Sequence, residues 1–170
     1  SHDWTMDFSN YTLACKGNEN KHTKWYSANP SHKANMCCGH KKDNIDPTGR
    51  ICNPYELPPY PVVKADYRDE GLWFVPDVEA CQKAGISPEL VASTLELLGL
   101  NCPSLLRRRK KVWNEVLKDM DDVFSQQPEN QQALQEVAEN HIFPLHGELA
   151  AFYTTRLLCL ASDLPELIQG

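Results

Sequence analysis

From about residue 76 to the end of the chain, apolar residues recur at helical steps; upstream of that point they alternate, cluster or are absent. Leu105, Leu106, Trp113, Val116, Leu117, Met120, Val123 and Phe124 fall three or four residues apart, which predicts one long helix after Asn101-Cys102-Pro103 with a single buried stripe. Just before it, Ser87-Pro88-Glu89 combines an N-cap, a first-turn proline and a first-turn acid. That signature predicts a helix with Leu90, Val91, Leu95 and Leu98 inward and Gly99 as its stop. Further helices are expected over residues 129–139 and 144–161. The break between them is expected at His141-Ile142-Phe143-Pro144, because a proline disfavours helical geometry in the residue before it.

The period changes upstream. Val62 to Tyr67 and Leu72 to Val75 flank Arg68-Asp69-Glu70-Gly71, a hairpin signal with glycine where the backbone needs freedom. Ahead of it Asn53-Pro54-Tyr55-Glu56-Leu57-Pro58-Pro59-Tyr60-Pro61 cannot be helical and reads as an extended strap. Residues 1–52 are polar and loop-rich, with Tyr11-Thr12-Leu13-Ala14 as their one apolar run. Such a stretch buries too little to order itself and needs a metal or disulfides. The expected architecture is α+β: a stapled module over residues 1–52, a strap and β-hairpin over 53–76, and a helical domain over 77–170.

A hydrophobic content of 41% is enough for a core in a 170-residue chain. No apolar run approaches the roughly 18 residues that span a bilayer, and Ser1-His2-Asp3-Trp4 lacks the features of a signal peptide, so a cytoplasmic protein without a membrane partner is expected. Charge is uneven. The chain carries a net −6, yet residues 1–50 are the basic end, so a nucleic acid would be gripped there and repelled elsewhere. Arg107-Arg108-Arg109-Lys110-Lys111 reads as a solvated helix face with intrahelical ion pairs to the acids that follow it.

Cys15, Cys37, Cys38 and Cys52 share the N-terminal third with His2, His22, His32 and His40, whereas Cys81, Cys102 and Cys159 sit in apolar surroundings and read as core residues. His22 and His32 read as solvated loop residues, and His141 and His146 as core or capping groups.

One ordered set of segments resembles a known family. Asp7-Phe8-Ser9-Asn10-Tyr11-Thr12-Leu13-Ala14-Cys15 is similar to the Asp-aromatic-x-Asn-Leu-Leu-x-x-Cys segment of HNH endonucleases associated with retron and Septu anti-phage systems. Cys38-Gly39-His40-Lys41-Lys42 resembles that family's Cys-x-x-x-Lys-Gly turn, Ile51-Cys52-Asn53-Pro54 its Leu-Asn-Pro strap, and Gly71-Leu72-Trp73 its hairpin. Thr94 to Asn101 followed by Leu105, Leu106 and Arg109 is similar to its Thr-Ile-x-x-Leu-x-Leu-Asn junction.

The resemblance implies a zinc-stapled ββα (His-Me finger, HNH) module that hydrolyses phosphodiesters of DNA or RNA. Asn10 would be the central asparagine and His40 the late histidine of the catalytic site. Lys41 and Lys42 would hold phosphate, and Cys15 with Cys38, or with neighbouring Cys37, would form the second pair on a structural zinc. A catalytic divalent metal such as Mg2+, an ABC-type ATPase partner and a retron complex holding RNA and DNA are also implied. The late ligand normally follows the cysteine directly, where this chain has Gly39. The family's first CxxC pair and its Glu-His would lie upstream of Ser1.

Two other readings use the same residues. Gly39 at the late-ligand position suits a zinc-binding adaptor whose nuclease site has decayed. Alternatively Cys15 pairs with Cys38 or Cys37 as a disulfide in a secreted binding protein, for which Asn10-Tyr11-Thr12 is a formal glycosylation sequon.

Overall fold

The computed structural model describes residues 34–42, 44–126, 131–142, 151–161 and 164; within them, the side chains of residues 39, 40 and 131 are not described. The class is α+β. A short helix α1 (Cys38–Lys42) precedes strands β1 (Val63–Arg68) and β2 (Gly71–Pro76). Helices α2 (Val78–Ala84), α3 (Pro88–Leu97), α4 (Pro103–Gln126), α5 (Gln131–Ile142) and α6 (Tyr153–Leu160) follow. Among the described residues no helix is long and apolar enough to cross a membrane.

The hairpin forms where the alternation placed it, with Arg68 opposite Gly71, so that Asp69-Glu70 is the two-residue turn. Leu72 and Phe74 are buried on one face, against α4 and α3, and Trp73 lies on the opposite face with Asp66 and Arg68. Gly71 is needed for a close approach: a Cβ there would lie 2.6 Å from Leu106 Cβ and 2.7 Å from the Leu106 carbonyl carbon.

Helix α3 starts as expected, with the Ser87 hydroxyl accepting from the Leu90 N–H and Pro88 in the first turn. Gly99 closes the segment at φ +57°. Val91 and Leu95 are buried as expected, whereas Leu90 and Leu98 are half-buried and Leu97 is buried in addition. Helix α2 was not separately predicted, although Asp77 caps its first turn by accepting from the Ala80 N–H, and Gly85 at φ +67° ends it.

Helix α4 corrects the predicted stripe. Its buried positions are Leu106, Arg109, Val112, Val116 and Met120, whereas Leu117 and Phe124 are each 37% exposed. Because successive helical residues are rotated by about 100°, the face is set by the steps 106, 109, 112, 116 and 120, and Leu117 and Phe124 fall on its rim. Two apolar clusters result. Val116 and Met120 pack with Ala138, Ile142, Leu157 and Leu160 between α4, α5 and α6, with Trp113 against them. Cys52, Val62, Phe74, Cys81, Val91 and Leu95 pack the strap and hairpin onto α2 and α3.

Helix α5 extends past residue 139 to Ile142, and α6 starts at Tyr153; the expected start at Pro144 lies outside the described residues. The three helices of the first cluster are also joined by polar contacts. The Arg156 guanidinium lies 2.6 Å from His141 Nδ1, and His141 Nε2 lies 3.0 Å from Asp119 Oδ2. An arginine has only donors, so Nδ1 accepts and Nε2 carries the proton donated to Asp119. His141 is thus a bridging group among helices, in keeping with its predicted core or capping role.

Candidate functional site

Asn10 and Cys15 lie outside the described residues, as do His2, His22, His32 and His146. The part of the expected site that can be placed is the segment from Ala34 to Lys42 and the surfaces it meets.

The two adjacent cysteines face different surroundings. Cys37 is buried, 4% exposed, and is not disulfide-bonded. Cys38 is half-buried, has φ +54°, and is disulfide-bonded, its partner lying outside the described residues. Cys37 therefore belongs to the interior. Cys38 is the cysteine that the fold brings to a second sulfur, the arrangement needed either for a disulfide or, once reduced, for half of a zinc site. While oxidised it is not a thiolate ligand. Among the described residues no group of three or more His, Cys, Asp or Glu side chains is assembled for a metal.

The Cys/His segment is docked on the end of α3. The Cys38 N–H donates to the Leu98 carbonyl at 2.7 Å, and the Ser104 N–H donates to Asn35 Oδ1 at 2.9 Å. Gly99 permits this approach, since a Cβ there would lie 2.6 Å from the Met36 carbonyl oxygen and 2.9 Å from Lys41 Cγ. Helix α1 carries His40 in its backbone, followed by two lysines with different roles. Lys42 Nζ donates to the Ile45 carbonyl at 3.0 Å and closes its own turn. Lys41 is exposed and lines a cleft of about 500 Å3 with Arg68, Trp73, Glu96 and Asn101 among its walls.

The segments that resemble the nuclease family's strap, hairpin and helix junction meet through hydrogen bonds. The Cys52 N–H donates to Thr94 Oγ1 at 2.8 Å, and Ser93 Oγ donates to the Arg50 carbonyl at 2.7 Å, so the strap starts from α3. Asn101 reaches the open edge of β2: it accepts from the Phe74 N–H at 3.0 Å and donates to the Phe74 carbonyl at 2.8 Å. A single side chain thereby stands in for a neighbouring strand. Asn101 Oδ1 also accepts from Arg109 Nη1 at 3.1 Å.

Arg109 corrects the reading of the basic run as a solvated face. It is 5% exposed, lies 3.8 Å over the Phe74 ring, and burial pushes its guanidinium down to about 10, so it stays charged at neutral pH. Lys110 Nζ donates to the Arg68 and Asp69 carbonyls at 3.2 and 3.1 Å, capping the hairpin turn. Of the predicted ion pairs, Lys111 with Glu115 at 3.8 Å is present. Arg109 and Lys110 thus fasten helix to hairpin, whereas Arg107, Arg108 and Lys111 are exposed, as the solvated-face reading expected. Helical periodicity carried the missed signal, since the phase of Leu106, Trp113, Val116 and Met120 puts position 109 on the buried face.

The core reading of the remaining cysteines holds: Cys81, Cys102 and Cys159 are buried free thiols, and desolvation pushes the Cys81 thiol up, which keeps it protonated. No protein-family model, curated protein or solved structure matches the chain.

Proposed function

We propose that this chain is part of a metal-dependent HNH endonuclease acting in anti-phage defence with an ABC-type ATPase partner. The observation that carries the reading is the mutual fastening of the family-like segments. Cys52 is held by Thr94, the hairpin edge by Asn101, Asn101 by Arg109, and the Cys/His segment by Leu98 and Gly99. Four segments matched separately in sequence therefore form one frame. That frame presents α1, with His40 and Lys41, beside an open cleft.

In this reading Asn10 and His40 organise the phosphodiesterase site, with the general base contributed from residues upstream of Ser1. A catalytic Mg2+ or similar ion would stabilise charge on the scissile phosphate and leaving oxygen. Cys38, reduced, would hold structural zinc with Cys15, while Cys37 serves the core. Lys41 contacts nucleic acid, and Lys42 shapes the turn. The test uses the longer protein with its ATPase partner. His40→Ala and Asn10→Ala should each slow cleavage about 10²-fold or more with zinc content and folding unchanged, as expected for groups that act in the transition state. Cleavage at the wild-type rate by both variants defeats the proposal.

The disulfide at Cys38 favours a second reading, a disulfide-stapled binding protein. Alkylation of the denatured, chelated chain without reductant separates the two by intact mass. The zinc reading expects all seven cysteines to react, and the disulfide reading only the five free ones.

A further inference from the structure

The cleft between α1 and the outer face of the hairpin is the candidate the observations carry furthest. Its walls combine two cations, Lys41 and Arg68, with an indole, Trp73, and one carboxylate, Glu96. Lys41 has no ion pair among the described residues, and its stem rests against Gly99. Arg68 is held over the Trp73 ring, 4.7 Å from its centre, by the Asp66 carboxylate at 2.6 Å. Trp73 Nε1 is buried without a hydrogen-bond partner, the one buried side-chain nitrogen or oxygen so placed among the described residues. That N–H is closed to solvent, so what Trp73 can offer the cleft is ring surface rather than a hydrogen-bond donor.

We infer that this cleft binds an unpaired nucleotide of a nucleic-acid strand. The base stacks at Trp73, and a phosphate is neutralised by Lys41. The inference takes from the nuclease reading only that the ligand is a nucleic acid. A volume of about 500 Å3 is that of a site for a small molecule, and a duplex, whose major groove alone is about 12 Å wide, does not enter it. Stacking on an aromatic beside flanking cations is the chemistry that holds single strands with little regard to sequence. Because Lys41 directly follows His40, a strand anchored here is led to the α1 turn.

The experiment measures binding by the purified chain without added divalent ions, so that no cleavage is involved. The probes are fluorescein-labelled oligo(dT) of about 12 nucleotides, within the usual site sizes for stacking grooves, and a duplex of equal length. The single strand should bind at least about tenfold more tightly than the duplex. Trp73→Leu should weaken single-strand binding about tenfold, with Trp73→Phe closer to wild type because a stacking face remains. Lys41→Gln should reduce the salt slope by about 0.7, as loss of one phosphate contact on a single strand does, while Lys111→Gln, remote and paired with Glu115, leaves it unchanged.

Thermal melts report folding. If Trp73→Leu does not fold, Trp73→Phe and Lys41→Gln decide the matter. Equal affinity for duplex and single strand overturns the inference, as does wild-type binding by Lys41→Gln or an equal effect of Lys111→Gln. A longer protein that cleaves nucleic acid while the cleft variants bind normally leaves the nuclease reading standing and removes the cleft. Single-strand binding that is lost in the cleft variants, from a protein that never cleaves, does the reverse.

Discussion

Asn101→Ala should destabilise the protein by about 3 kcal/mol, the overlapping loss of one hydrogen bond to a charged group and two to backbone groups. At about 2–4 °C per kcal/mol for a chain of this size, the melting temperature should fall by about 10 °C. The variant removes three hydrogen bonds at once: it strips the Phe74 N–H and carbonyl of their partner and takes the acceptor from Arg109, which is 5% exposed. Each buried polar group left unpaired costs about 1–3 kcal/mol, and these costs overlap because one cavity admits water to all three. The charge share can be isolated. In an Arg109→Met background no buried cation remains to be stranded, so Asn101→Ala should cost at least about 1 kcal/mol less there. Strictly additive losses in the double variant would show that Asn101 and Arg109 are not coupled.

The second large effect concerns the hairpin's seat on α4. Gly71→Ala should cost about 3 kcal/mol or more, from overpacking combined with a backbone conformation that L residues rarely adopt. The φ of Gly71 is +152°, and the added Cβ would lie 2.6 Å from Leu106 Cβ and 2.7 Å from its carbonyl carbon. Both are atoms of a helix backbone or fixed to it, so no rotamer relieves the clash. Leu106→Ala, which trims only beyond Cβ, should therefore fail to rescue Gly71→Ala. Melts read by circular dichroism give the comparison. Recovery in the double variant, or a Gly71→Ala melt within about 1 °C of wild type, would mean that the hairpin does not sit against α4 as described.

Both variants act on residues whose importance differs in how far the sequence discloses it. Gly71 stands in a turn signal and was legible as a glycine that the hairpin needs, although the reason is the approach of Leu106, 35 positions further on. Asn101 was legible only through its place before a helix and through the family resemblance. That it holds β2 depends on a partner 27 residues away. The inward turn of Arg109 was legible in principle, because the phase set by Leu106, Trp113, Val116 and Met120 puts position 109 on the buried face, but a run of five cations reads first as solvated.

Although Asn53 to Glu56 close a turn in the stretch expected to be extended, local chemistry by itself determined the α+β class, the hairpin, and the caps at Ser87 and Gly99. These rest on proline geometry, alternation and hydrogen bonds within a few residues. It also placed the buried thiols of Cys81, Cys102 and Cys159, since apolar surroundings in sequence became apolar surroundings in space. Only the tertiary structure decided which of Cys37 and Cys38 turns toward a second sulfur and which into the interior. It alone divided Lys41 from Lys42, one on a cleft and one on its own turn. In each case neighbours in the chain are chemically alike, and what separates them is the direction in which a short helix points them once Leu98 and Gly99 have fixed its seat.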